Sequence, residues 1–197
     1  MPSSESPSAD SLLSHGIAAS QANDSADAIA WFAKACAAAP SSGLPQFLLG
    51  SEYASLGDMH QAEAALANAV LLSPDLSIAR YQLGLLQFSS GRASVALLTW
   101  TPLLDLPATD PLPHYVRGYA ALAQDRFDEA LQCYRQGLAC PTTNFALSRD
   151  IDMVVARIHA LPGVAATAGA PALHDEPLSE AQAHVLLANY QQPGRAH

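Results

Sequence analysis

Apolar positions along this chain recur in steps of three and four, the spacing that keeps side chains on one helix face, and the pattern returns every 34 residues. Gly16, Gly50, Gly84 and Gly118 mark that period, and so do Ala28, Ala62, Ala96 and Ala130. A third series, Phe32, Leu66, Trp100 and Tyr134, is bulky throughout and follows each alanine by four residues, one turn along the same face. Pro40 and Pro74 keep the period, and Pro107 and Pro141 repeat it one position earlier. Small residues where two helices cross, an apolar stripe and a proline that stops the second helix make each unit a helical hairpin.

In this register the chain resembles the tetratricopeptide repeat. That family's Gly at position 8, Ala at 20, large residue at 24, small residue at 27 and Pro at 32 are matched by L-L-G-S-E-Y-A-S-L-G from Leu48 to Gly57 and by A-E-A-A-L-A-N-A-V-L-L-S-P from Ala62 to Pro74. The resemblance covers residues 9–143 and divides them into units of about 9–42, 43–76, 77–110 and 111–144. It implies an all-α fold, a right-handed superhelix of antiparallel helical hairpins in which each unit buries its neighbour's apolar face. The large residue expected at position 4 is replaced by Leu12, Gln46, Arg80 and His114, and the leucine at position 7 by His15 in the first unit and Arg117 in the fourth. Pro102 falls inside the second helix of the third unit, where its missing N–H predicts a kink.

A stacked array needs a cap, and 145–161 supplies one: Ile151, Val154, Val155, Ile158 and Leu161 recur at helical steps, while Ser148, Arg149, Asp150 and Arg157 are free to face water. Pro162 and Gly163 end that helix, and 162–177 reads as a linker. Ser179 and Gln182 have capping-box spacing, and Leu178, Val185, Leu186 and Tyr190 form an apolar stripe, so a last helix is expected over 178–191. Polar residues 1–8 are expected to be disordered.

Composition narrows the function. The chain has 197 residues, 50% of them hydrophobic and 14% charged, with a mean hydropathy of +0.11, the profile of a globular protein with a core. Eighteen acidic residues against nine Lys and Arg leave a net charge of −9, which disfavours nucleic acid and anionic membranes as partners. The abundance of alanine, with Lys34 the only lysine, suggests a GC-rich bacterial source. No apolar run of 18 residues or export signal is seen, and Cys36, Cys133 and Cys140 are too few for a disulfide framework, so a reduced, cytoplasmic protein is expected. The seven histidines contain no H-E-x-x-H pair, and Cys133 and Cys140 stand two turns apart on one helix as buried structural cysteines. His174, Asp175 and Glu176 read as a loop cluster. With no nucleophile, phosphate-loop or dinucleotide motif, neither an enzyme nor a cofactor or metal site is expected.

What the resemblance implies for function is a groove. In this family the first helices of the units line the concave surface, and ligand contacts come from positions 2, 5, 6, 9, 12 and 13. Carried onto this chain these include Leu44, Ile78 and Leu112 at position 2, Phe47, Tyr81 and Tyr115 at position 5, Leu48 and Gln82 at position 6, Leu85 and Tyr119 at position 9, and Phe88 at position 12. None is charged, so the family's carboxylate clamp of Lys, Arg and Asn is missing, and an extended or helical peptide with apolar anchors is the expected partner. The chain looks like an adaptor or a chaperone, among them the chaperones that hold apolar translocator segments in type III secretion. The other reading is a self-associating scaffold, a possible homo-oligomer in which the helix over 178–191 fills its own groove or a neighbour's.

Overall fold

The structure, a computed structural model, describes residues 8–142 and 144–161, and all regular structure in them is helical. The expected linker over 162–177 and the last helix over 178–191 lie outside the described residues. Two compact units divide between Ala96 and Leu97.

The first unit contains α1 (Ala9–Gln21), α2 (Ser25–Ala38), α3 (Gly43–Ser55), α4 (Met59–Leu72), α5 (Ser77–Ser89) and the first half of α6 (Ala93–Trp100). Here α1 packs on α2, α2 on α3, α3 on α4 and α4 on α5, the order of consecutive hairpins. The glycine series sets how closely each pair approaches. A Cβ on Gly16 would stand 2.5 Å from the Phe32 ring, and one on Gly50 would stand 2.9 Å from Leu66 Cγ, so position 8 receives the large side chain of position 24. Ala28 and Ala62 are wholly buried beside them. Ser8, expected in the disordered segment, instead caps α1 by accepting a hydrogen bond from Ser11 N–H at 3.2 Å.

One 34-residue series escapes an apolar pattern. Asn23, Gly57, Gly91 and Asp125 all have positive φ, from 55° to 79°, and each turns the chain between the helices of its hairpin. These are the residue types that tolerate the left-handed region. Asp24 and Asp58 follow the first two and cap the next helix, each accepting from a backbone N–H at 3.1 Å. Arg92 and Arg126, in the same register, cannot accept. Arg92 instead donates twice to the Glu63 carboxylate of α4, at 2.8 and 2.7 Å, and Arg126 pairs with Glu129. His15, the departure at position 7, is exposed and stacks on Trp31 with ring centroids 4.9 Å apart, while Lys34 Nζ lies 4.2 Å from the same indole.

The second unit starts inside α6, and here the proline does more than kink a helix. α6 stops at Trp100 after eight residues, and Thr101–Asp105 continues as a 3-10 helix with Pro102 at its start. That helix buries Leu103 and packs on α7 (Pro111–Leu122). α7 packs on α8 (Phe127–Leu138), and α8 on α9 (Phe145–His159). Gly118 receives Tyr134 as Gly16 receives Phe32. α9 buries Leu147, Ile151, Val154 and Ile158, and Asn144 caps it by accepting from Leu147 N–H at 3.1 Å. Asp150, expected to face water, is half-buried, and desolvation pushes its carboxyl above the ordinary range despite Arg149 beside it; desolvation also raises Asp152.

Candidate peptide-binding face

Residues at i, i+4, i+7 and i+11 of a helix form one stripe. On α3 that stripe is Leu44, Leu48, Ser51 and Ser55, and on α5 it is Ile78, Gln82, Leu85 and Ser89, each 34 residues later. Both are open to solvent to some degree: Leu44 is 43% exposed, and Leu48, Ile78, Gln82 and Leu85 are half-buried. Ser51 Oγ lies 2.9 Å from Gln82 Oε1, which sets the two stripes side by side. One hairpin earlier, Ser20 Oγ of α1 donates to Glu52 Oε2 of α3 at 2.8 Å, so a serine also ties the α1–α3 step, and the buried Glu52 carboxylate is held beneath the surface. Neither stripe carries an ionisable side chain. The α3–α5 face is therefore aliphatic with uncharged hydrogen-bonding groups, suited to apolar contacts and indifferent to charge.

Ile17 extends this face in register. It occupies on α1 the position of Ser51 and Leu85 and is 41% exposed. Applying position 9 to the first unit would have found it. Phe47, half-buried, packs against the cluster of Ala62, Leu66, Leu83 and Leu86, and Leu48 leans on the cluster of the first hairpin built around Leu13 and Phe32. Phe88 at position 12 is half-buried as well.

Four residues expected in the groove belong to the core. Tyr81, Leu112, Tyr115 and Tyr119 are at most 6% exposed and cannot meet a ligand without repacking. The reason is clearest at Tyr115: a Cβ on Gly137 of α8 would collide with its ring, so the aromatic of position 5 fills the space left by the small residue at position 27 of its own hairpin. Burial pushes the Tyr115 hydroxyl above the usual tyrosine range, and the nearby Ser148 of α9 pulls the other way, so the capping helix reaches this residue too. Tyr119 packs on Trp100 with centroids 5.2 Å apart and meets Tyr134 edge-on at 5.5 Å. Among the described residues the expected groove positions form no continuous ladder of accessible aromatics; those that stay at least partly open, Leu44, Phe47, Leu48, Ile78, Gln82, Leu85 and Phe88, lie in the first unit.

Little other chemistry is assembled. Among the described residues no group of three or more His, Cys, Asp and Glu side chains is placed to hold a metal ion. Cys133 and Cys140 are half-buried rather than buried, and burial raises the Cys36 and Cys133 thiols, keeping both protonated at neutral pH. No described helix is long and apolar enough to cross a membrane.

Residues 47–100 match the tetratricopeptide repeat family. Among curated protein sequences there is no significant match. A crystal structure of MamA superimposes with a TM-score of 0.56 at 21% identity, covering 76% of this chain and 81% of that one. MamA from Desulfovibrio magneticus RS-1, from residue 41 to its end, gives 0.59 at 13% identity over 77% and 84%. Another MamA crystal structure gives 0.56 at 23% identity over 66% and 71%. These likenesses are in fold, and with the glycine and alanine registers and the matched segment they show a tetratricopeptide-repeat fold.

Proposed function

We propose that this protein is a non-enzymatic interaction module, an adaptor or chaperone of the cytoplasm, that holds an apolar segment of a protein partner along the α3–α5 face. The observation that carries this reading is the pair of adjacent uncharged stripes, with Leu44 the most open aliphatic side chain on them and Ile17 of α1 extending the face in register. A hydrophobic row of this kind on a rigid pair of helices favours a helical or extended peptide with aliphatic anchors over an acidic tail, which would need cations that the stripes lack.

Capture of partners from the native host by wild-type protein and by Leu44→Asp and Ile78→Asp variants, followed by mass spectrometry, tests the reading. The partner should be lost with both variants while their helical circular dichroism is kept, and binding should change little between low and high salt. A partner retained by both folded variants, or one whose affinity falls steeply with salt, would overturn it.

A further inference from the structure

The α3–α5 face has a candidate occupant within its own chain. Residues 162–197 follow the end of the described structure, and 178–190 carry Leu178, Val185, Leu186 and Tyr190 on one helical stripe with Gln182 and Asn189 among them. On the same helical wheel Glu180 and His184 fall on the opposite side. As a helix, this stripe would be apolar with uncharged amides, close to the chemistry of Leu44, Leu48, Ser51, Ile78, Gln82 and Leu85, with Glu180 outside it. Its length matches too, since α3 and α5 each have 13 residues, the number in 178–190, and a helix of that size is about 20 Å long.

We infer that 178–190 is a built-in competitive ligand of the α3–α5 face, bound in cis. The inference rests on the proposed function and adds its regulation. The tether favours the chain's own segment over a second copy. Sixteen residues, the number in 162–177, reach at most about 50 Å when fully extended, and a tether of that length presents its ligand at an effective concentration on the order of 1 mM. At that concentration a segment with an intrinsic Kd of about 0.1 mM occupies the face about ten times as often as it leaves it, whereas a second copy at micromolar concentration would rarely compete. An external partner then binds the resting protein about tenfold more weakly than the opened one, and only a partner with strong anchors displaces the segment.

The test uses the full chain and a fluorescein-labelled peptide of residues 176–191. The V185D/L186D double variant should bind this peptide about tenfold more tightly than wild type does. Adding Leu44→Asp, or the milder Leu44→Gln with Leu85→Gln, should remove that binding, and both parent proteins should be monomeric at tens of micromolar by light scattering. Equal binding by wild type and V185D/L186D, no binding by V185D/L186D, or a wild-type dimer that V185D/L186D dissolves would overturn the inference. If the peptide fails to bind while a captured partner is still lost on Leu44→Asp and Ile78→Asp, the cis ligand is wrong and the binding face stands. If neither binding depends on those residues, both are wrong.

Discussion

Leu44 and Leu112 are the same residue in the same register, two periods apart, yet Leu44 is 43% exposed and Leu112 is 6% exposed. The contrast extends around them. In the first unit the stripes of α3 and α5 remain open, whereas the corresponding stripe of α7 closes through Leu112, Val116 and Tyr119. Periodicity assigns a side chain to a helix face, but whether that face is surface or core depends on what the neighbouring elements bring to it. Around α7 they bring Gly137, Trp100 and the capping helix with Ser148. One repeat motif thus yields an open face in one unit and a sealed core in the other.

The largest expected effect tests the closed side. Tyr115→Ala should lower stability by about 3 to 5 kcal/mol, as deletion of a buried aromatic does, while Leu44→Ala should stay within about 1 kcal/mol. Equal shifts in melting temperature would erase the contrast. Gly118→Ala comes next. Its new Cβ would overlap the Tyr134 ring, and overpacking of this kind costs about 1 to 3 kcal/mol unless the ring moves. Gly57→Ala isolates backbone strain, because a Cβ there would meet nothing within 4 Å while φ stays at 79°. A loss of about 1 kcal/mol on denaturant unfolding is expected, and no loss would show that the turn relaxes.

The smallest effects have opposite signs in the two units. Glu63 is held below the usual carboxylate range, first by its hydrogen bond from Arg92, so it favours folding while ionised, and that support fades as pH falls through its folded pKa. Glu63→Gln should lower the melting temperature at pH 7, a loss of less than about 1 kcal/mol in stability for so exposed a pair, and the loss should shrink as pH falls through the folded value. Asp150 is raised by desolvation, so its cost to folding appears as pH climbs from the ordinary carboxylate range through the folded value. Asp150→Asn should raise the melting temperature at pH 7 and be silent at pH 3. A destabilising Asp150→Asn would mean that its charge has a partner in the folded chain.

Much of the fold was legible because the marks that set it are local. Gly16 and Phe32, or Gly50 and Leu66, lie 16 residues apart in every unit, and a small residue facing a large one at fixed separation can be read from the letters alone. The turn series was harder, since Asn23, Gly57, Gly91 and Asp125 share a conformation but neither size nor polarity. The candidate face was half legible. Leu44, Leu48, Ile78, Gln82 and Leu85 lie on the expected stripes, but a tyrosine that will be roofed looks the same in sequence as one that will be open. Tyr115 could have been set apart only by asking whether the small residue at position 27, Gly137, left room for a ring, and Tyr81 not even so, because its own unit has Leu103 there.

The 3-10 segment has a consequence for exchanging repeats between proteins. At the position where the other units place Ala35, Ala69 and Gly137, the third unit places Leu103, a far larger side chain that is nonetheless buried. A 3-10 helix advances about 120° per residue against 100° for an α-helix, so by Asp105 the chain has turned about 100° further and risen about 2.5 Å more than an α-helix would. Pro102 imposes that winding and Leu103 fills the space it creates. The two form one unit of inheritance: a consensus repeat grafted here must replace both together, since a straight helix would swing the leucine out of its socket and an alanine under the proline would leave the socket empty.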